Sequence, residues 1–184
     1  MIKRELYMNR IRPFIGGELI KVMTGIRRSG KSVMLELIKE ELAEAGVAPS
    51  QMISINFEDM RYSHLQTATA LHDEIIKRAE GIEGKAYLFF DEIQEVEGWE
   101  KCVNSLRVAL DCDIYITGSN AKLLSGELAT YIGGRYVEFV IYPFSFAEFL
   151  ELYHTIAPSD SIQQCFQKYL LAGGMPYLAN LRYE

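Results

Sequence analysis

Hydrophobic and polar positions along the chain follow two alternating patterns, which are short apolar runs and longer stretches with helical spacing. The apolar runs predict five strands, at 19–25, 52–57, 86–92, 113–120 and 135–144. Helical spacing predicts six helices, at 32–45, 65–80, 98–111, 121–132, 145–154 and 161–172. Strands that alternate with helices are typical of a parallel sheet covered on both faces. The sequence therefore predicts an α/β fold.

Length and composition fit one globular domain, or one domain with an appendage. The chain has 184 residues, of which 49% are hydrophobic and 24% are charged. A formal net charge of −6 argues against a general electrostatic attraction to nucleic acid or to an anionic membrane. We interpret the basic residues near the start as the solvated face of a helix rather than as a DNA-contacting arm: Lys3, Arg4, Arg10 and Arg12.

Cysteine usage and the length of the apolar runs bear on the cellular location of the protein. Cys102, Cys112 and Cys165 are odd in number and show no CxxC spacing, which indicates neither a disulfide framework nor a zinc site. No apolar run approaches the ~20 residues that a membrane span needs. We therefore expect a cytoplasmic protein with no membrane partner.

The segment GIRRSGKS, from Gly25 to Ser32, matches the phosphate-loop pattern G-x-x-x-x-G-K-[ST]. It follows a predicted strand and begins a predicted helix, where loop N–H groups and the helix N-terminus attract phosphate oxygens. The alternative is a glycine-containing turn between a strand and a helix. We favour the phosphate loop and predict these nucleotide-binding residues: Gly25, Ile26, Arg27, Arg28, Ser29, Gly30, Lys31, Ser32 and Val33.

Individual loop residues have separate predicted roles. Lys31 is predicted to reach the β- and γ-phosphates, and the hydroxyl of Ser32 is predicted to bind Mg²⁺. Arg27 and Arg28 either approach the nucleotide or pair with a neighbouring acid.

Two carboxylates end the apolar run in YLFFDEIQ at 87–94. Asp91 is predicted to hold the Mg²⁺ shell, and Glu92 to polarise a water for attack on the γ-phosphate. The alternative is two acids that merely end a strand in solvent. A small-molecule kinase does not need that water, so this pair favours hydrolysis. Because no NKxD guanine-recognition motif is present, we favour ATP over GTP.

Four segments occur in a fixed order: TGIRRSGKS, YLFFDEIQ, ITGSNAKLLSGELATYIGGRY and YPFSFAEFL. In them the chain resembles the prokaryotic AAA+-type ATPases that usually carry a C-terminal domain of unknown function, of the DUF4143 type. The resemblance covers almost the whole chain. It implies a three-layer P-loop fold with a parallel five-stranded sheet of order 5-1-4-3-2, and ATP hydrolysis coupled to conformational change.

The resemblance also implies roles for residues outside the loop. Asn120 would be the sensor that contacts the γ-phosphate or the attacking water, with Ser119 as second choice. A polar side chain there lies where open α/β sheets bind ligands, and Asn120 is equally suited to cap the next helix. Arg135 would be an arginine finger, acting within the chain or on a neighbouring subunit. A surface cation or a structural ion pair is the alternative for Arg135.

We predict three parts of the chain: an N-terminal helical or extended segment at 1–18, a P-loop ATPase core at 19–155 and a C-terminal helical extension at 156–184. The resembling ATPases usually run well beyond the ATPase domain. We therefore expect the extension to begin a truncated or missing region. Nucleic acid is expected as a partner only through such a region or a separate chain.

Three functions follow from these residues. The first is Mg-dependent ATP hydrolysis with Glu92, Asn120 and Arg135 as catalytic residues. The second is a nucleotide-dependent switch that hydrolyses ATP negligibly alone. The third, less favoured, is a small-molecule phosphotransferase.

Overall fold

The computed structural model describes residues 2–118, 132–156 and 158–176 of the chain. Its strands are β1 (Ile20–Thr24), β2 (Met52–Asn56), β3 (Ala86–Asp91), β4 (Cys112–Thr117) and β5 (Tyr136–Val140). Its α-helices are α1 (Glu5–Ile11), α2 (Lys31–Glu44), α3 (Ala68–Ala79), α4 (Trp99–Ala109), α5 (Phe146–Ile156) and α6 (Ile162–Ala172).

The five strands form one parallel sheet with the order β2-β3-β4-β1-β5. Counted from the other edge, this order is 5-1-4-3-2, so the predicted fold class and sheet order are confirmed. Strand β1 is buried at every residue, and β3 and β4 at all but one, whereas the edge strand β2 alternates. The continuous apolar runs occupy the centre of the sheet because both of their faces are covered.

Helices cover both faces of the sheet. Phe89 and Phe90 are adjacent in β3 and therefore point to opposite faces. Phe90 packs in a cluster with Leu71 of α3 and Val103 of α4. Phe89 packs in a second cluster that includes residues of α1 and α2, such as Met34. The fold therefore has three layers, and the predicted nucleotide-binding loop lies at one end of the middle layer, which is the sheet.

Helices α5 and α6 pack on each other and on the start of the chain. Their shared cluster contains Ile2, Phe144, Phe149, Tyr153 and Cys165. Ser145 caps α5: its hydroxyl accepts a hydrogen bond from the N–H of Glu148 (3.3 Å), and its own N–H donates to Oε2 of Glu148 (2.8 Å). This reciprocal pair satisfies two N–H groups that the helix itself leaves unpaired.

One predicted helix starts later than expected. The helix predicted at 65–80 begins at Ala68, because Met60–Leu65 form a 3-10 helix and Thr67 caps α3 through a hydrogen bond from Ala70 N–H (3.3 Å). The helix predicted at 121–132 falls almost wholly outside the described residues. Within the described ranges, no helix is both long enough and apolar enough to cross a membrane.

A buried ion pair lies near the amino ends of β1 and β4. Nζ of Lys21 donates hydrogen bonds to Asp113 and to the carbonyl of Gly17. Oδ2 of Asp113 accepts from Gly16 N–H (2.7 Å) and from the hydroxyl of Tyr115 (2.7 Å). Burial lowers the pKa of Lys21, and the contact with Asp113 opposes that shift. Because both charges are 0% exposed, each depends on the other.

We expect Lys21→Met to destabilise the fold by about 3–5 kcal/mol, because Asp113 would remain buried without its counter-charge. Urea unfolding measures the loss. The double variant Lys21→Met/Asp113→Asn removes both charges and keeps an acceptor for Gly16 and Tyr115, so it should recover much of the stability. A single variant as stable as the original chain would contradict the role of this pair.

Candidate nucleotide-binding site

The loop between β1 and α2 crosses the carboxyl end of the sheet, and its path requires glycine at two positions. Gly25 has a φ of 147° and Gly30 a φ of 99°. A Cβ at position 25 would lie 2.2 Å from the carbonyl oxygen of Ile141. The N–H of Ile141 in turn donates to the carbonyl of Thr24 (2.7 Å). The loop therefore passes too close to the end of β5 for any side chain at position 25.

Helix α2 presents its amino end to the loop. It begins at Lys31, with Gly30 as the N-cap residue. The N–H of Met34 donates to the carbonyl of Gly30 (3.1 Å). The N–H groups of residues 31–33 precede that bond and lack an acceptor within the helix. Together with the helix dipole, they form a site that favours an anion.

The side chain of Lys31 lies over the loop. Its Nζ is 3.3 Å from the carbonyl oxygen of Gly25, 3.3 Å from that of Ile26 and 3.8 Å from Oε1 of Glu92. The residue is only 4% exposed. The ammonium group therefore lies where the loop meets the end of β3.

Two acidic residues lie at the carboxyl end of β3, and Thr117 of β4 bonds to the side chain of Asp91 and to the backbone of Glu92. The Thr117 hydroxyl donates to Oδ1 of Asp91 (2.5 Å) and accepts from the N–H of Glu92 (3.0 Å). The β3–β4 register, which pairs Phe90 with Ile116, brings these residues together. Glu92 has a φ of 55°, a left-handed conformation that non-glycine residues keep only where their surroundings impose it.

The carboxylate of Glu92 is held on both sides. Nε2 of Gln94 donates to Oε2 (2.5 Å), and Nζ of Lys31 lies 3.8 Å from Oε1. Asp91 beside it is buried. The structure thus departs from the alternative of two acids that end a strand in solvent, because these contacts direct Glu92 towards the loop.

The loop, the start of α2 and the end of β3 enclose a cleft of about 610 Å³, a volume typical of small-ligand sites. Its lining consists of Arg27, Arg28, Gly30, Lys31, Ser32, Val33, Glu58, Glu92 and Pro176. Nη2 of Arg27 lies 3.5 Å from Oε1 of Glu58, and its side chain is 82% exposed. Of the two options predicted for Arg27, the structure shows the contact with a neighbouring acid.

A smaller cavity of about 160 Å³ adjoins the cleft. Gly30, Val33 and Pro176 line both spaces. The other walls of the smaller cavity are Ile2, Arg4, Phe144 and Leu152. A ligand that lies along the loop would therefore meet a polar region first and a largely apolar region beyond it.

Arg4 departs from the sequence interpretation, which made it part of a solvated face. It is only 3% exposed, and Nη1 donates to the carbonyl of Ser29 in the loop (2.9 Å). The physical reason is that helix α1 begins at Glu5, so Arg4 precedes it and turns inward over the loop. Lys3 and Arg10 are exposed, as the interpretation requires.

Arg135 lies at the opposite edge of the sheet from the cleft. Its carbonyl accepts a hydrogen bond from Ile20 N–H (3.0 Å) at the amino end of β1, whereas the loop follows the carboxyl end. Five strand residues span about 17 Å, which exceeds the reach of an arginine side chain. The exposed Arg135 therefore does not contact the cleft of its own chain. The predicted sensor Asn120 and its alternative Ser119 lie outside the described residues.

A parallel sheet in this order, with a glycine-dependent phosphate loop at its carboxyl edge, defines a P-loop protein of the AAA type. A family model described as an AAA domain matches residues 18–150. The chain belongs to this family, as the resemblance implied.

Two curated relatives match most of the chain. An uncharacterised protein of Haemophilus influenzae is 44% identical over 176 residues, which cover 96% of this chain and 44% of that protein. An uncharacterised protein of Methanocaldococcus jannaschii is 36% identical over 166 residues, which cover 85% of this chain and 35% of that protein. The chain therefore spans less than half the length of these relatives.

Solved structures of AAA+ ATPases share the fold. A variant of Thermotoga maritima RuvB matches with a TM-score of 0.62 at 13% identity, over 97% of this chain and 59% of that chain. The Aeropyrum pernix ORC1 protein, solved in complex with DNA, matches with a TM-score of 0.60 at 16% identity, over 86% of this chain and 50% of that chain. At such identities the likeness concerns the fold alone.

Proposed function

We propose that this chain binds Mg-ATP in the cleft and hydrolyses it, with hydrolysis coupled to a conformational change. The observation that carries the proposal is the meeting of Lys31, Asp91 and Glu92 at one loop, with Thr117 fixing the carboxylate of Asp91 and the backbone of Glu92. Membership of the AAA domain family supports nucleotide binding. Because the chain spans less than half of its relatives, the process that hydrolysis drives belongs to the whole protein.

The two adjoining spaces suit different parts of a nucleotide. The loop and the amino end of α2 favour the phosphates, since their N–H groups form an anion site. The smaller cavity, with Ile2, Phe144 and Leu152 in its walls, suits a purine ring. Ile2 and Phe144 are buried, so the N-terminal segment would form one wall around the base.

The residues proposed for Mg²⁺ have suitable chemistry. Ser32 offers a hydroxyl oxygen in the cleft and Asp91 a carboxylate oxygen, and hard cations such as Mg²⁺ prefer oxygen ligands. When bound, the ion would neutralise charge on the phosphates. The contact from Thr117 fixes the carboxylate of Asp91, which limits the positions that such an ion can take.

Glu92 supplies the base. Held by Gln94, its carboxylate orients a water for attack on the γ-phosphate. It accepts the proton of that water as the new P–O bond forms, while the bond from the γ-phosphorus to the β-phosphate oxygen breaks and ADP leaves. Lys31 turns from the carbonyls of Gly25 and Ile26 towards the phosphates, because an anionic oxygen is a stronger acceptor than a neutral carbonyl.

A nucleotide-dependent switch with negligible hydrolysis by a single chain is the second candidate. The position of Arg135 favours it, because a lone chain cannot bring this cation to its own cleft. A phosphotransferase is supported less well, since Glu92 is held beside the phosphate loop, where it would favour water as the nucleophile.

The deciding experiment is phosphate release from ATP by the purified chain, with Mg²⁺ or with EDTA, over a wide range of protein concentrations. An ATPase shows Mg-dependent turnover. Tight ATP binding without turnover at any concentration would favour the switch. A chain that binds no ATP would overturn both functions.

We propose that Arg135 acts on the cleft of a neighbouring subunit and expect Arg135→Ala to reduce turnover by about 10³-fold, because a finger arginine stabilises transition-state charge. ATP affinity should change little. Mixing inactive Arg135→Ala chains with inactive Glu92→Gln chains should restore partial turnover, since a mixed pair contains one complete site. Turnover that stays absent in the mixture, or that is normal in Arg135→Ala alone, would contradict action between subunits.

A further inference from the structure

Arg4 joins three parts of the molecule around the phosphate loop. Its Nη1 donates to the carbonyl of Ser29 in the loop (2.9 Å), and Nη2 donates to the carbonyl of Tyr142 in the segment before α5 (2.8 Å). Its Nε donates to Oε1 of Glu148 on α5 (2.9 Å). The side chain of Arg4 is 1% exposed, so the guanidinium itself lies away from water. The guanidinium therefore links the loop, the end of the sheet and α5.

The surroundings of Arg4 hold it in one position. The guanidinium carbon lies 4.5 Å from the ring centre of Tyr7 and 5.1 Å from that of Phe144. The backbone has a φ of 46° and a ψ of 48°, a left-handed conformation that is uncommon for residues other than glycine. Strain of this kind persists only where neighbouring contacts impose it, and it concentrates at functional sites.

The bond to Ser29 sets the direction of a loop N–H group. The peptide bond is planar and trans, so the carbonyl of Ser29 and the N–H of Gly30 point in opposite directions. Because Arg4 holds that carbonyl, the Gly30 N–H points away from Arg4. The fit is close, since a Cβ on Gly30 would come within 3.3 Å of Nη1.

We propose that Arg4 is a positioning residue for the nucleotide site, which orients the Ser29–Gly30 peptide for phosphate binding and ties the loop to α5. The inference rests on the proposed nucleotide binding. Through Glu148, any movement of the loop when phosphate binds is transmitted to α5. A residue of merely structural importance would lower stability without altering how the loop recognises phosphate.

Arg4→Lys is the most informative variant, because it keeps the positive charge. Its single ammonium group cannot reproduce the planar guanidinium, which donates to three acceptors. Arg4→Met removes the charge and leaves the carboxylate of Glu148 without its counter-charge. The double variant Arg4→Met/Glu148→Gln keeps an acceptor for Ser145 N–H and guards against misfolding from an unpaired carboxylate. Arg10→Met is the matched control, since Arg10 is exposed on α1.

The ligands are Mg-ADP and inorganic pyrophosphate, measured by calorimetry beside a thermal unfolding curve for each variant. We expect Arg4→Lys and the double variant to fold and to bind both ligands about tenfold or more weakly, by similar factors. In the nucleotide-free protein, amide hydrogen exchange in residues 25–33 should be faster in both variants. Arg10→Met should match the original chain in every measurement.

Three results would overturn the proposal in distinguishable ways. Unchanged affinity in folded Arg4 variants would remove the positioning role and leave the proposed function intact. Weaker ADP binding with unchanged pyrophosphate binding would show that Arg4 acts on the base cavity instead, which it also lines. An original chain that binds neither ligand would overturn the proposed function itself, and the positioning role with it.

Discussion

Lys31→Ala should abolish detectable binding of Mg-ATP, with a loss of affinity of about 100-fold or more. Hydrogen bonds to charged groups each contribute about 1.5–3 kcal/mol, and Lys31 would contact at least one anionic phosphate oxygen from the centre of the loop. Nζ of Lys31 also contacts the loop carbonyls of Gly25 and Ile26 and lies near the carboxylate of Glu92. Its removal takes away the positive charge that lies 3.8 Å from the carboxylate of Glu92.

Calorimetric titration with Mg-ATP measures this effect. Lys39→Ala is the matched control, because Lys39 lies on the same helix and bonds to Glu36 (2.6 Å) outside the cleft. The control should keep its affinity. If Lys31→Ala binds ATP as tightly as the original chain, the phosphate-loop assignment is wrong.

Glu92→Gln should retain ATP and lose turnover by about 10²–10⁴-fold, the range that a positioned general base contributes. The amide oxygen of glutamine can still accept the hydrogen bond that Nε2 of Gln94 now donates to Oε2. The geometry of the turn therefore survives, but the amide cannot take a proton from water. Removing the negative charge beside Lys31 should leave ATP affinity equal or higher.

Phosphate release and ATP binding are measured on the same preparation, so that loss of turnover is separated from loss of ligand. Glu97→Gln, an exposed acid five residues further on, is the control and should behave as the original chain does. Normal turnover in Glu92→Gln would exclude it as the base. Loss of ATP binding in the same variant would point to a structural role for the carboxylate.

The parts of the fold that the sequence predicted are those encoded locally. Largely apolar runs marked β1, β3 and β4, because strands covered on both faces are mostly apolar. Lys21 of β1 and Asp113 of β4 interrupt the pattern and pair with each other. The phosphate loop was readable for the same reason, since its glycines and Lys31 lie within eight consecutive residues. The sheet order came from the family resemblance, and the strand pairings confirm it.

The contacts that sequence reasoning missed join distant segments. Thr117 meets Glu92 across 25 residues, and Arg4 meets Glu148 across 144. One sequence feature could have identified Thr117, which is its hydroxyl at the end of the strand beside Asp91. No sequence feature predicts the position of Arg4, because a cation near a helix start is usually solvated. The burial of Arg4 depends on acceptors from three separate segments.

Arg135 shows how sheet geometry adds to a motif. A residue that precedes a strand lies at the amino edge of a parallel sheet, and a loop that follows a strand lies at the carboxyl edge. The order of predicted elements already implied that Arg135 and the loop of one chain are far apart. The boundaries at 18 and 155 and the sensor role of Asn120 stay predictions.

Strand β1 precedes β4 and β5 in the chain, yet it lies between them in the sheet. During synthesis, one of its edges must wait for β4 and the other for β5, whose first residues follow that of β1 by 92 and 116 residues. At about 5–20 residues per second, that wait is on the order of ten seconds. Through this interval a hydrophobic strand with two unpaired edges is exposed to wrong partners.

The loop cannot reach its final geometry until Ile141 bonds to Thr24. A stalled or shortened nascent chain that ends before residue 141 would therefore be a substrate for chaperones and proteases rather than a partly functional protein.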